Sequence, residues 1–119
     1  MQNNSDVRLR GMLGFAMRAG RVLVGSETVI SCLGKPGRVK LVLYTADASD
    51  GAKRRIISKC EFYGIKTLLT QIDMGELGRL LGKTYGPVCI GITDEGFARE
   101  IEKCLSPKVT NERNPSSGT

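Results

Sequence analysis

Gly82-Lys83-Thr84 brings together three groups that grip a nucleotide phosphate: backbone N–H groups, an ammonium and a hydroxyl. Nucleotide hydrolases place this triplet at the end of G-x-x-x-x-G-K-[ST], between a strand and a helix N-terminus, because the helix's unpaired N–H groups bind the phosphates. Here Gly78 stands one residue too close to Gly82, and Leu77 occupies the position of the first glycine. The order is also reversed, since a helical pattern precedes the triplet and the apolar run "PVCIGI" (87–92) follows it. No helix N-terminus faces the loop, so it is not a nucleotide-binding loop. A basic loop beside Tyr85 remains.

No other catalytic set stands out. The chain has no His, which removes the His-dependent triads and any Cys/His zinc site. Ser26, Ser31 and Ser49 have no evident base, and most acids fall at helix starts, where capping accounts for them. Cys32, Cys60, Cys89 and Cys104 lie far apart in apolar contexts and form no C-x-x-C pair. They read as small buried thiols of a reducing compartment. We therefore expect no enzymatic activity, no cofactor and no metal.

The elements that must position these residues follow from periodicity. Residues 6–19 are helical behind Ser5-Asp6 and stop at Gly20; "RVLVG" (21–25) is a short strand, and Ser26 to Leu33 a second helix ended by "GKPG" (34–37). "KLVLY" (40–44) is nearly all apolar, as a strand covered on both faces must be. Ser49 caps a helix to about Tyr63 with Gly64 as its left-handed stop, and "IKTLLT" (65–70) is the next strand. Asp73 with Glu76 has the spacing of a capping box for a helix to about Leu81, "PVCIGI" is another buried strand, and Asp94 opens a last helix through Leu105. Strands alternating with helices predict a three-layer α/β/α sandwich with a mixed central sheet over residues 6–105. Residues 106–119, "SPKVTNERNPSSGT", have no periodicity and read as a flexible tail.

A chain of 119 residues is one domain by length. Its net charge is +6, and residues 1–59 hold eleven Lys/Arg against four Asp/Glu, whereas residues 60–119 hold seven against eight. A basic surplus in one half suits a surface that meets nucleic acid or acidic lipid. No stretch approaches the roughly 20 apolar residues that span a bilayer, and the polar start Met1–Asp6 lacks a signal peptide's apolar core. The expectation is a cytoplasmic protein with no membrane partner.

Three stretches, "LGFAMRAGRVLVGSETVI" (13–30), "KLVLYTADASDGAKRRI" (40–56) and "ELGRLLGKTYGPVCIGITDEGFAREI" (76–101), resemble in order and spacing the ribosomal protein L-seven-Ae kink-turn RNA-binding family, closest to its bacterial YlxQ-like branch. The resemblance spans roughly residues 8–104. It implies an α/β/α sandwich whose partner is RNA, ribosomal or otherwise structured, bound by three converging segments. These are the start of the second helix, the loop after "KLVLY", and the loop before the last strand. In this sequence they hold Gly25, Ser26, Glu27, Thr28 and Ser31; Ala46, Asp47 and Ala48; and Lys83, Thr84, Tyr85, Gly86 and Pro87. Arg21, Lys35, Arg38 and Lys83 are the expected phosphate contacts, and Tyr85 offers a stacking ring.

Departures from the family pattern fall in the first segment. The family's helix opens Gly-x-Asn-Glu-x-x-Lys, where Asn and Glu read sheared G·A pairs and Lys meets a phosphate. Gly25 matches, but Glu27, Thr28 and Ser31 replace Asn, Glu and Lys. Glu27 accepts hydrogen bonds and cannot donate. By local chemistry alone, Gly25 also serves a turn, Glu27 a helix dipole, and Lys53, Arg54, Arg55 and Lys59 a solvated helix face. The competing function on the same fold is a protein-interaction module. An acidic branch of the superfamily binds proteins, and the charge of +6 disfavours that reading.

Overall fold

Short apolar strands, each followed by an amphipathic or capped helix, build the sandwich. The computed structural model describes residues 4–105. In chain order the elements are α1 (Asn4–Arg18), β1 (Val22–Val24), α2 (Ser26–Leu33), β2 (Leu41–Tyr44), α3 (Asp50–Tyr63), β3 (Thr67–Leu69), α4 (Met74–Leu80), β4 (Cys89–Ile92) and α5 (Glu95–Leu105). The expected tail at 106–119 lies outside the described residues.

The sheet runs β1-β4-β2-β3. β4, the last strand in the chain, sits between β1 and β2 and is antiparallel to both, while β2 and β3 are parallel. The central strands β2 and β4 are those with apolar runs, and alternate residues serve opposite faces. Leu41, Leu43, Ile90 and Ile92 join Leu13, Leu77 and Ile101 under α1, α4 and α5. Val42 and Cys89 join Val29, Cys32, Ile56 and Cys60 under α2 and α3. This is the mixed three-layer sandwich that the periodicity predicts.

Helix ends follow local chemistry with two adjustments. Ser49 Oγ accepts from the Ala52 N–H at 3.2 Å, and Gly64 closes α3 at φ 72°. Asp94 Oδ2 accepts from the Phe97 N–H at 2.9 Å. α1 begins at Asn4, so Ser5 and Asp6 lie inside its first turn rather than before it. Asp73 Oδ1 accepts from the Glu76 N–H at 2.8 Å, but the Glu76 carboxylate turns to Arg10 of α1 instead of back to Asp73. An arginine within reach offers it a charge-assisted fork that a backbone N–H cannot match.

Candidate functional site

Antiparallel pairing of β4 with β1 and β2 brings three loops to one end of the sheet. Val24 pairs with Ile90 and Tyr44 with Cys89, so the exits of β1 and β2 both flank the start of β4. The Gly25 N–H donates to the Cys89 carbonyl at 3.0 Å, and the Thr45 N–H to the Val88 carbonyl at 2.9 Å. Gly25–Thr28, Ala46–Ala48 and Lys83–Pro87 thus lie at the same end of the sheet, the end at which α2 begins.

Gly25 occupies φ 96°, ψ 151°, a conformation that a side chain strains, and no side chain caps α2. Glu27 and Thr28 are exposed on that turn, while Ser26 is half-buried and its hydroxyl accepts a long 3.9 Å contact from the Cys89 thiol. Burial pushes the Cys89 thiol up to about 11, against the Ser26 hydrogen bond and the nearby charge of Arg55. It is a neutral packing group, not a nucleophile. Cys60 is likewise pushed up to about 11 by burial.

The other two loops are tied together by α4. Asp47 Oδ1 accepts from the Met74 N–H at 3.0 Å, so this expected site residue caps α4. The Ala46 N–H donates to the Ile72 carbonyl at 3.0 Å, and Ala48 is buried. Beyond α4 the Lys83 N–H returns to the Gly78 carbonyl at 2.8 Å. The chain then lies on the helix so closely that a Cβ at Gly78 would stand 2.3 Å from the Tyr85 carbonyl oxygen. Gly86 rests in the same way against the Met74 carbonyl. Pro87 is buried, Lys83 is half-exposed, and Thr84, Tyr85 and Gly86 are exposed, with Tyr85 at 55%.

Not all the expected residues gather there. The Thr93 N–H donates to the Arg21 carbonyl, and the Lys40 N–H to the Ile92 carbonyl. Arg21 and Arg38 therefore sit at the opposite end of the sheet, about 13 Å away along a four-residue strand, as does Lys35 beyond the C-terminus of α2. Ser31, one turn into α2, bonds back to the Thr28 carbonyl at 2.8 Å.

A residue outside the sequence-derived set also enters. Arg55 Nη1 of α3 meets Glu27 Oε2 at 3.1 Å and offsets the negative charge at the head of α2. Its place in a basic helical stretch was visible in sequence; its partner, 28 residues away, was not. Charge is unevenly paired over the molecule. Across α1, α4 and α5, Arg8 meets Glu100, Arg10 meets Glu76, Arg99 meets Glu95 and Lys103 meets Glu100. On the α2/α3 side, Lys35, Arg38, Lys53, Arg54 and Lys59 have no acidic partner within 4 Å among the described residues. Among those residues no group of three or more His, Cys, Asp or Glu could hold a metal ion, and no helix is long and apolar enough to cross a membrane.

The mixed α/β/α sandwich thus presents three loops at one end of its sheet and a basic layer on α2 and α3. The chain belongs to the ribosomal protein L7Ae/L30e/S12e/Gadd45 family, whose sequence pattern matches residues 8–102, and within it to the YlxQ-like branch. It is 36% identical over 94 residues to the RNA-binding protein YlxQ of Bacillus subtilis, covering 79% of this chain and 91% of that protein. It is 33% identical over 92 residues to the large ribosomal subunit protein eL30 of Sulfolobus acidocaldarius, covering 77% and 88%. A solved structure of a protein of unknown function from Bacillus halodurans superposes with a TM-score of 0.74 at 33% identity, covering 82% of this chain and 95% of that one.

Proposed function

We propose that the protein is a non-enzymatic RNA-binding protein of the cytoplasm that recognises kinked, structured RNA, ribosomal RNA included. The observation that carries this reading is the convergence of Gly25–Thr28, Ala46–Ala48 and Lys83–Pro87 around an uncapped helix start. Such a start turns backbone donors and a positive dipole toward a phosphate backbone. Lys83 supplies a phosphate contact and Tyr85 a ring for an unstacked base. Asp47 acts by holding α4, and through it the Tyr85–Gly86 strap, in place. Arg21, Lys35 and Arg38 meet only RNA long enough to run past the sheet. The RNA-binding protein YlxQ and the ribosomal protein eL30, to which the chain is similar, agree with an RNA partner and with a ribosomal setting.

The test compares a kink-turn RNA, a plain duplex and an unstructured single strand for binding at two salt concentrations. The kink-turn is expected to bind tightest, with a preference that survives the higher salt. Equal affinity for all three, lost together at high salt, would leave a nonspecific polyanion binder.

A further inference from the structure

The α2/α3 layer carries an exposed surface that the three-loop site does not use. Glu27 meets Arg55 near the N-termini of the two helices, and Gly34, at the end of α2, lies 3.5 Å from the Tyr63 ring by its Cβ direction. The helices therefore run side by side in parallel. One turn on from the Glu27–Arg55 pair, α2 carries Ser31 and α3 carries Lys59, both exposed and Ser31 uncharged. Lys59 shares a shallow concavity with Ser58, Phe62 and Tyr63. Phe62 is 80% exposed, and its ring stands edge-to-face on Tyr63 at 4.9 Å. Lys35 follows directly after Gly34.

Cations at one-turn intervals that end on an exposed aromatic pair have no role in the core, and no acid within 4 Å neutralises Lys35 or Lys59 among the described residues. We propose that this seam is a second RNA contact, a track for an unpaired strand leaving the α2 end of the site, with phosphates on Arg55, Lys59 and Lys35 and a base stacked on Phe62. The proposal rests on the RNA-binding reading above. Arg55 to Phe62 spans about 10 Å along α3, room for about three nucleotides at a stacked spacing of about 3.4 Å. The Glu27–Arg55 pair is solvent-exposed and so weakly held that a phosphate readily takes Arg55 from it. Sequence-tolerant stacking with cations along the backbone is how single strands are commonly bound.

The test measures binding of a kink-turn RNA with blunt ends, the same RNA with five unpaired nucleotides added at either the 5′ or the 3′ side, and the five-nucleotide strand alone. One extension is expected to strengthen binding at least about five-fold. Phe62→Ala with Lys59→Gln should abolish that gain while leaving the blunt RNA and the melting temperature unchanged, and Phe62→Tyr should keep it. An extension that adds nothing, or a gain indifferent to Phe62 and Lys59, overturns the track. If the blunt RNA does not bind at all, the kinked-RNA reading fails by itself. The track is then judged on the strand alone: binding lost in the double variant supports it, and absent or unaltered binding overturns it. A gain reproduced by a protein ligand with acidic side chains and no bases would assign the seam to protein instead.

Discussion

Gly25 has open space around its Cβ direction, so a substitution there meets no neighbour and tests backbone conformation alone. At φ 96°, ψ 151° an L side chain is strained, and Gly25→Ala is expected to cost about 1–3 kcal/mol of stability, read from chemical denaturation. A smaller loss would mean that the loop rearranges cheaply. Thr45 presents the opposite case. It is fully buried where β2 enters the second loop, and its hydroxyl has no hydrogen-bond partner among the described residues. A buried hydroxyl without a partner loses its hydration for nothing in return, so Thr45→Val should raise stability by about 1 kcal/mol. A destabilised valine variant would reveal a partner for that oxygen. Both residues lie where the loops converge, so stability there is set by backbone geometry and one orphaned polar atom.

At the scale of elements, α2 and α4 carry the site by different means. The head of α2 is polarised by its own first turn, where Glu27 opposes a polyanion and Arg55 of α3 holds it. Glu27→Gln should therefore release Arg55, strengthen RNA binding a few-fold and steepen its salt dependence. Unchanged affinity in a filter-binding titration would place the RNA away from this turn. α4 acts as a bracket: it receives Asp47 at its start, carries the Tyr85–Gly86 strap on its back, and is fastened to α1 by Arg10 and Glu76. The Arg10 hydrogen bond holds the Glu76 carboxyl below its usual range, against a smaller opposing effect of burial. A depressed carboxylate pKa contributes stability that is fully present above the unfolded value of about 4.3 and is lost as pH falls through the folded value. Glu76→Gln should accordingly lower the melting temperature at pH 7, and the gap to the parent protein should close below about pH 4. A gap that persists in acid would show that packing, not charge, holds α4.

For the whole molecule the sign of the charge matters less than where it is left unpaired. Acids on α4 and α5 neutralise much of the cation content of their own layer; Arg18 and Arg79 are the exceptions there, and most of the cations without an acidic partner among the described residues lie on α2, α3 and the loops. Lys83→Ala should weaken RNA binding and lower the log–log salt slope by roughly 0.7–0.9, the share of one phosphate contact. Arg99→Ala with Lys103→Ala, on α5, should leave the slope unchanged, because those side chains already face Glu95 and Glu100. A larger effect from the α5 pair would move the RNA to the other layer.

By itself the sequence determined the elements and most of their caps, because these depend on neighbours a few residues apart. Ser49, Gly64, Asp73 and Asp94 act within one turn of where they stand, and the apolar runs at 41–44 and 89–92 could only be strands covered on both faces. The order of helix before and strand after Gly82-Lys83-Thr84, the reverse of that around a nucleotide loop, was legible for the same reason. Strand order was not legible, since only pairing puts β4 between β1 and β2 and so gathers three loops distant in sequence. Tertiary structure also sent Arg21, Lys35 and Arg38 to the far end, because a four-residue strand or an eight-residue helix carries the chain clear across the sheet. It brought Arg55 to Glu27, turned Glu76 from its cap to Arg10, and pressed Tyr85 onto Gly78. Ion pairs and close backbone contacts between distant segments form only once the layers pack, and local spacing holds no record of them.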